Sequence, residues 1–402
     1  MANENLGAAK KAKNDEFYTQ FHDIEKEINA YLEYNPDVFK GKTVLLPCDD
    51  PEWSNFTKYF AQKFQDLGLK KLISTSYAPN SKPLEVPYQP TLFEMENEKF
   101  DDIKTQANGK IFTLTKDKTG DGVINVEDLE WTYLEGDGDF RSEEIIKLRD
   151  EADVIITNPP FSLFREFITW LVDANKDFVI VGNMNAITYK EVFSLIREGR
   201  MWLGATRVGV GSMWFVVPDN SAEKLGQKVE GGQKLQTIGN SAWFTTIDHG
   251  RRHQPLVLMT EEENVKFSKH KGIRDVGYQT YDNYEAIEVP KVEAIPSDYK
   301  GVMGVPITFL GKHNPDQFQI LGITKTWDDE TRLKIKTYSQ QTQVSDGVEK
   351  FPVSKLNDGA AIQVQEPQSD TYYKVDGVAY IQVYARILIR HIRADNKVIA
   401  NG

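Results

Sequence analysis

Asn158-Pro159-Pro160-Phe161 follows the apolar run Val154-Ile155-Ile156-Thr157 and precedes a helical pattern. In an open α/β sheet the carboxyl end of a strand is where ligands bind. Asn-Pro is also ordinary turn chemistry, but an amide, two prolines and an aromatic ring together at a strand end suit methylation of an exocyclic amino nitrogen. The lone pair of an aryl amine is delocalised into its ring, and the nitrogen becomes nucleophilic when two acceptors hold its hydrogens out of plane. The side-chain oxygen of Asn158 is one acceptor and the main-chain carbonyl of Pro159 the other; the prolines, Pro160 included, fix φ and aim that carbonyl. Phe161 offers a face on which a base can stack. A base inside a duplex cannot reach such a pocket, so its nucleotide must swing out, at roughly a few kcal/mol.

A loop of this kind needs a rigid scaffold. Thr43-Val44-Leu45-Leu46 reads as a short strand, and after Pro47-Cys48-Asp49-Asp50-Pro51 the residues Trp53, Phe56, Phe60, Phe64 and Leu67 recur at helical gaps of three and four. Asp50 suits the N-cap, Pro51 the first helical position and Gly68 the end. With Leu72 to Ser76 as a second strand, the stretch is a βαβ unit with a right-handed crossover. Alternation resumes with a helix opened by Ser142, a strand from Asp153 to Thr157, a helix from Ser162, a strand from Phe178 to Val181, and a helix that Thr188 and Glu191 cap together. The fold class is α/β and doubly wound. A methyl donor would sit at neighbouring strand ends. Asp49 and Asp50 follow the first strand ahead of a helix N-terminus able to receive a carboxylate, and Asp139-Phe140 joins an acceptor for an adenine amino group to a ring that packs on it.

Residues 78–137 interrupt the alternation with four prolines and then a hairpin, Ile111 to Thr115 with Glu130 to Leu134. Beyond about residue 205 short β-like runs replace helical periodicity, as in Trp214 to Val217, Trp243 to Ile247 and Ile381 to Tyr384, whereas the polar stretch 328–370 reads as loops or a hairpin. Asp117 to Asp128 has the ligand spacing of a calcium loop, but strand-like flanks favour an Asp-Gly hairpin connection, so no metal is expected. Pro47-Cys48 looks like a nucleophile dipeptide, yet Cys48 lies where the donor binds and is read as structural or donor-side. Asp248-His249-Gly250-Arg251-Arg252-His253 lacks a second metal-ligand cluster and reads as a DNA-facing basic loop or plain surface.

The chain has 402 residues, 40% of them apolar, which is enough for two or three domains with proper cores and excludes global disorder. One cysteine cannot form an internal disulfide, and the N-terminal residues lack a secretory apolar segment, so a cytoplasmic protein without membrane association is expected. The net charge of −12 argues against coating nucleic acid through bulk charge, though not against a local basic cleft. Clusters at Arg251 and Arg252 and at Arg386 and Arg390 are the DNA-contact candidates, with Trp243 and His249 beside the first; each cluster equally suits a solvated face.

Dense matches run through Asp15 to Gln20, Cys48-Asp49-Asp50-Pro51, Ser54-Asn55-Phe56, Gly136 to Ser142, Thr157 to Glu166, Asn185 to Glu191, Met201 to Gly204, Trp243 to Thr245, Ile247 to Gly250 and Ala385 to Arg390. In these the chain resembles the EcoRI-type adenine-specific DNA methyltransferases. The resemblance implies a Rossmann-like S-adenosylmethionine-dependent methyltransferase core, and methyl transfer to adenine N6 of double-stranded DNA by direct displacement. It implies catalytic roles for Asn158, Pro159, Pro160 and Phe161, and donor contacts from Phe17, Tyr18 and Thr19 and from Asp139 with Phe140. It also implies specificity carried in the C-terminal half. The expected organisation is an N-terminal donor-binding segment at 1–35, the core at 36–205 with an insertion at 78–137, and a β-rich target-recognition region at 206–402. A monomer is expected, with a cognate restriction endonuclease in the same system but no stable complex. Methylation of RNA or of a protein glutamine amide, which uses similar loops, and a catalytically silent DNA-binding module are the alternatives. The first strand departs from the Gly-rich turn common in methyltransferases, and the segments 78–137 and 328–370 match poorly, leaving the recognition sequence open.

Overall fold

Thr43–Leu46 is buried on both faces, so it carries no polar alternation; such a strand belongs in the middle of a covered parallel sheet. The computed structural model describes residues 18–49, 54–78, 99–206, 209–210, 213–217, 226–237, 239–328, 332–367 and 369–392. These fall into two units, one of residues up to Ala186 with Met201–Gly250, the other of Ile187–Arg200 with the residues from Arg251 onward.

In the first unit the order is β1 (Tyr18–Thr19), α1 (Phe21–Tyr34), β2 (Thr43–Leu46), α2 (Asn55–Gln62), β3 (Lys71–Thr75), β4 (Lys110–Leu114), β5 (Glu130–Tyr133), α3 (Glu143–Glu151), β6 (Val154–Thr157), α4 (Phe164–Asp173) and β7 (Asp177–Asn183). After these come β8 (Trp202–Leu203), β9 (Gly209–Val210), β10 (Phe215–Val216), β11 (Gln227–Glu230), β12 (Gln233–Gln236) and β13 (Asn240–Thr245). A nine-stranded sheet runs β5-β4-β3-β2-β6-β7-β13-β8, with β9 paired to β13. Its centre is parallel: β2 lies beside β3 and β6, and β6 beside β7. The chain leaves β2 toward β3 on one side and β6 toward β7 on the other, so its direction across the sheet reverses between β2 and β6. That switch point opens a crevice at the strands' carboxyl ends. One core cluster of this unit joins Ile24, Ile28 and Tyr31 of α1, Phe56, Tyr59 and Phe60 of α2, and Val44, Leu46, Ile156 and Val179 of the strands.

Several local expectations change. The cap of α2 is Ser54, whose hydroxyl accepts from Phe56 N–H; Asp50 and Pro51 lie outside the described residues. The helix expected from Ser162 starts at Phe164, after a 3-10 turn at Phe161–Leu163 that a loop aimed by prolines can enter more readily than a full α-turn. Ser142 does cap α3, accepting from Ile145 N–H. The hairpin β4–β5 is present, but it extends the large sheet antiparallel to β3 rather than standing apart. The boundary expected at 205 also moves. β13 pairs antiparallel with β7 along Ser241 to Thr245, so the first unit continues to Gly250.

The second unit holds α5 (Lys190–Arg197), α6 (Glu261–Phe267) and strands β14 (Ile287–Glu288), β15 (Met303–Pro306), β16 (Phe318–Ile323), β17 (Gln341–Ser345), β18 (Val348–Val353), β19 (Ala361–Val364), β20 (Thr371–Val375), β21 (Val378–Gln382) and β22 (Arg386–His391). Helix α5, read from sequence as part of the core, belongs here because Arg197 pairs with buried Asp328 at 2.7 Å and Phe193 packs edge-on to Trp327. Its N-cap is Tyr189, without a side-chain cap bond, one residue beyond the cap expected at Thr188. The polar stretch 328–370, read as loops or a hairpin, holds the hairpin β17–β18 and also β19, three strands of a five-stranded sheet, β18-β17-β20-β21-β19. Asp346-Gly347 and Asp376-Gly377 take positive φ at both positions, the turn that matches strand twist in two-residue hairpins. A four-stranded sheet, β14-β15-β22-β16, completes the unit.

Candidate active site

Thr157, the polar residue that ends the apolar strand β6, joins the two sides of the switch point. Its hydroxyl lies 2.7 Å from the Pro47 carbonyl and 2.6 Å from Asp49 Oδ2, so one proton is shared between the acceptors that follow β2. Asp49 is buried, and its other oxygen accepts from the Ser54 hydroxyl at 2.7 Å. Its backbone N–H donates to Thr75 O at 2.8 Å, and its carbonyl receives Ser74 Oγ. The loops after β2 and β6 and the end of β3 are thereby tied together beneath the crevice. A buried carboxylate persists when its oxygens are hydrogen-bonded, as these are.

Asn158, Pro159, Pro160 and Phe161 leave β6 at this edge. Pro159 is buried and the other three half-buried, with the Asn158 side-chain oxygen enclosed. The Pro160 carbonyl accepts from Leu163 N–H at 2.9 Å, which closes the 3-10 turn. The ring of Phe161 meets the edge of Phe215, centroids 6.4 Å apart. Phe215 also connects Phe161 to the N-terminal segment, because β10 pairs with β1 through Thr19↔Phe215. Phe215 was not among the residues singled out from sequence, where the run Trp214 to Val217 showed only strand character.

Thr19 is buried, and the Asn55 side-chain amide at the start of α2 donates to its carbonyl at 2.8 Å. Its own hydroxyl is buried without a partner among the described residues. An unsatisfied buried hydroxyl costs stability, roughly 1–3 kcal/mol, and at a ligand crevice it marks a place for a donor or acceptor from outside. Tyr18 lies beside it in β1, while Phe17 is outside the described residues, as is Asp50.

The segment 136–140 seats on the carboxyl end of β3. Gly138 has φ +87°, and a β-carbon there would collide with the Ser76 carbonyl oxygen, so only glycine fits. Ala78 N–H donates to Asp137 O at 2.8 Å. Asp139 is clasped by Arg141, whose Nε and Nη2 reach its two oxygens at 2.9 and 2.5 Å, and this hydrogen bonding holds its carboxyl below the usual range. Cys48, in a left-handed bend at φ 66°, has its thiol pushed up to about 12 by burial and then by the charges of Asp49 and Asp139. Three expected donor-side features thus converge: the turn after β2, Asp139 and β1. Phe140 differs. It is buried edge-on to Phe167 and Trp170, so its ring serves the packing beneath the site and shows no open face.

Three of the six expected DNA contacts, Trp243, His249 and Arg386, are engaged inside the fold. Trp243 is fully buried in β13, edge-on to Phe56, because β13 is an interior strand of the large sheet. His249 is buried too, its Nε2 3.0 Å from Leu203 O and its ring edge-on to Tyr31. Arg386 forms a buried pair with Glu288 at 2.7 Å and is spent inside the second unit. Arg251 and Arg252 are half-buried in a 3-10 turn, and Arg390 is exposed, with Nη2 3.1 Å from Gln319 Oε1. No cluster of three or more His, Cys, Asp or Glu side chains suited to a metal occurs among the described residues. Within Asp117 to Asp128, Asp117 accepts from Gly120 and Gly122 N–H and Asp128 from Lys118, Thr119 and Asn125 N–H, which is turn chemistry.

A family model described as adenine-specific methyltransferase EcoRI matches residues 5–392. The chain is 41% identical to the type II methyltransferase M.EcoRI of Escherichia coli over 82% of this chain and 91% of that protein. It is 34% identical to the type II methyltransferase M.MpnI of Mycoplasma pneumoniae, covering 78% of this chain and 83% of the relative. No solved structure matches.

Proposed function

The chain belongs to the EcoRI family of adenine-specific methyltransferases, and we propose from the geometry of the switch point which of its residues carry the reaction. It is an adenine-specific DNA methyltransferase of the type II restriction-modification kind. The observation that carries the assignment of its site is Asn158-Pro159-Pro160-Phe161 at the carboxyl end of β6, beside the β2 turn across the point where the sheet reverses direction. That order is what a Rossmann-like core requires, and the sheets of the second unit suit a β-rich target-recognition region. S-adenosylmethionine, when bound, supplies the electrophilic methyl group.

Thr19, with its buried hydroxyl, and Asp139, already oriented by Arg141, are the groups best fitted to hold that donor. Asp49 keeps the floor of the crevice rigid through Ser54 and Thr157. Asn158 accepts one amino hydrogen of the flipped adenine and the Pro159 carbonyl the other, which frees the nitrogen lone pair from the ring; Phe161 supports the base by stacking. The functional species in this reading is a cytoplasmic monomer on double-stranded DNA, acting on hemimethylated sites one strand at a time, without a stable endonuclease complex. No helix among the described residues is long and apolar enough to cross a membrane.

Labelled S-adenosylmethionine and unmethylated genomic DNA test the reading, followed by modification-sensitive sequencing. Label should appear at one adenine of one short motif. Asn158→Ala should lower turnover about 10²–10³-fold, the usual consequence of removing one preorganised polar group, while donor binding persists. Normal turnover of that variant would remove Asn158 from the mechanism, and incorporation into RNA or protein in preference to duplex DNA would overturn the substrate assignment.

A further inference from the structure

We propose that the hairpin β11–β12, residues 227–236, is a duplex-contacting ribbon attached to the catalytic site. The inference deepens the reading of this protein as a DNA methyltransferase and rests on it. The attachment is by strand pairing. β12 pairs with β10 through Phe215↔Gln236 and Val216↔Leu235, and β10 pairs with β1, which carries Thr19. Phe215 in turn touches Phe161. A force on the ribbon therefore reaches the base-stacking ring and the donor segment through one four-stranded sheet.

The ribbon has the shape and chemistry of a groove reader. Two antiparallel strands fit the major groove of B-DNA, and Gly231-Gly232, both at positive φ, make the tip a tight two-residue turn. One side packs inward, with Leu235 buried and Lys228 Nζ 4.4 Å over the Trp214 ring. The other side sets Val229 opposite Lys234, next to Gln227. Val229 is 74% exposed, an apolar side chain on an edge strand turned to water. An exposed methyl pair suits a thymine methyl, an amide suits an adenine edge, and an ammonium suits phosphate or guanine. The ribbon's one carboxylate, Glu230, is neutralised by Lys228 at 2.5 Å. The ribbon carries two lysines against one carboxylate on a chain of net charge −12, and it is continuous with the crevice that must receive the base.

The test uses the full-length protein and a duplex containing the methylated motif. Val229→Glu with Lys234→Glu should leave S-adenosylmethionine affinity unchanged in calorimetry and raise the duplex Kd about tenfold or more, the scale of one lost base-pair contact. Lys234→Gln alone should flatten the dependence of log Kd on log salt by about one counterion. Cys48, the chain's single cysteine, is half-buried in the turn after β2, so Val229→Cys in a Cys48→Ser background carries one thiol. That thiol should capture a duplex carrying a disulfide tether within the motif. Unchanged duplex affinity in the double variant, no capture, or capture of a second protein molecule instead, with the wild type methylating normally, overturns the ribbon alone. A wild type that methylates no duplex overturns the parent reading and this one together.

Discussion

Asn158 and Thr19 show how differently two polar residues stand in the argument. Asn158 announces itself in sequence, since an amide followed by two prolines and an aromatic ring has few structural uses at a strand end. Thr19 is legible only through the family resemblance, and that its buried hydroxyl has no partner among the described residues is visible only in three dimensions. Thr19→Val should keep or slightly raise the melting temperature, since an unsatisfied hydroxyl is replaced by a methyl of similar shape. It should raise the KM for S-adenosylmethionine about tenfold, the effect of one hydrogen bond. A parallel melt and initial-rate series decides the matter, because a residue that only packs would move the first quantity and not the second. Trp243 and His249 give the opposite lesson. Aromatic and titratable types drew a DNA-contact reading, yet both are interior, and nothing in residue type separates a buried Trp from one that supports a base.

At the scale of elements, the loops after the strands do the positioning. Gly138 lets residues 136–140 lie against the end of β3. Gly138→Ala imposes a left-handed conformation and a backbone collision, and should cost about 2 kcal/mol or more. Thermal melts should fall accordingly and donor KM should rise as Asp139 is displaced. In the β4–β5 connection, backbone N–H bonds from Thr119, Lys118 and Asn125 hold the Asp128 carboxyl down to about 2. An ordinary Asp titrates near 3.9. The folded value is depressed, so its contribution is fully present above about pH 4 and disappears as pH falls through about 2. The stability difference between wild type and Asp128→Asn, from urea melts, should therefore narrow between pH 5 and 2. Strand and helix identity along 43–76 and 142–183 follows from apolar spacing and burial on both faces. Exact helix starts do not, because caps such as Ser54 are chosen by which side chain can reach a backbone N–H once the chain has turned.

At the scale of the whole molecule, the chain builds two units, each with its own buried side chains. In the second unit Arg386 and Glu288 are paired, and the Tyr281 hydroxyl donates to the same carboxylate. Arg386→Ala leaves that buried charge without its partner and should cost roughly 3–5 kcal/mol. Loss of hydrogen-exchange protection should appear in β14, β15 and β22, while calorimetry finds S-adenosylmethionine affinity in the first unit unchanged; a parallel loss of donor affinity would argue against that separation. The amine-methylation reading and the parallel core were legible along the chain, because a loop such as Asn158 to Phe161 and an apolar run such as Val154 to Ile156 are local patterns with local physical causes. Which distant segments share the site was not. Thr157 meeting Asp49, β1 pairing with β10, Phe215 against Phe161, and β13 completing the sheet beside β7 are contacts between residues far apart in the chain. Such pairings are selected by strand register and the filling of a common core, and no window of neighbouring residues contains them.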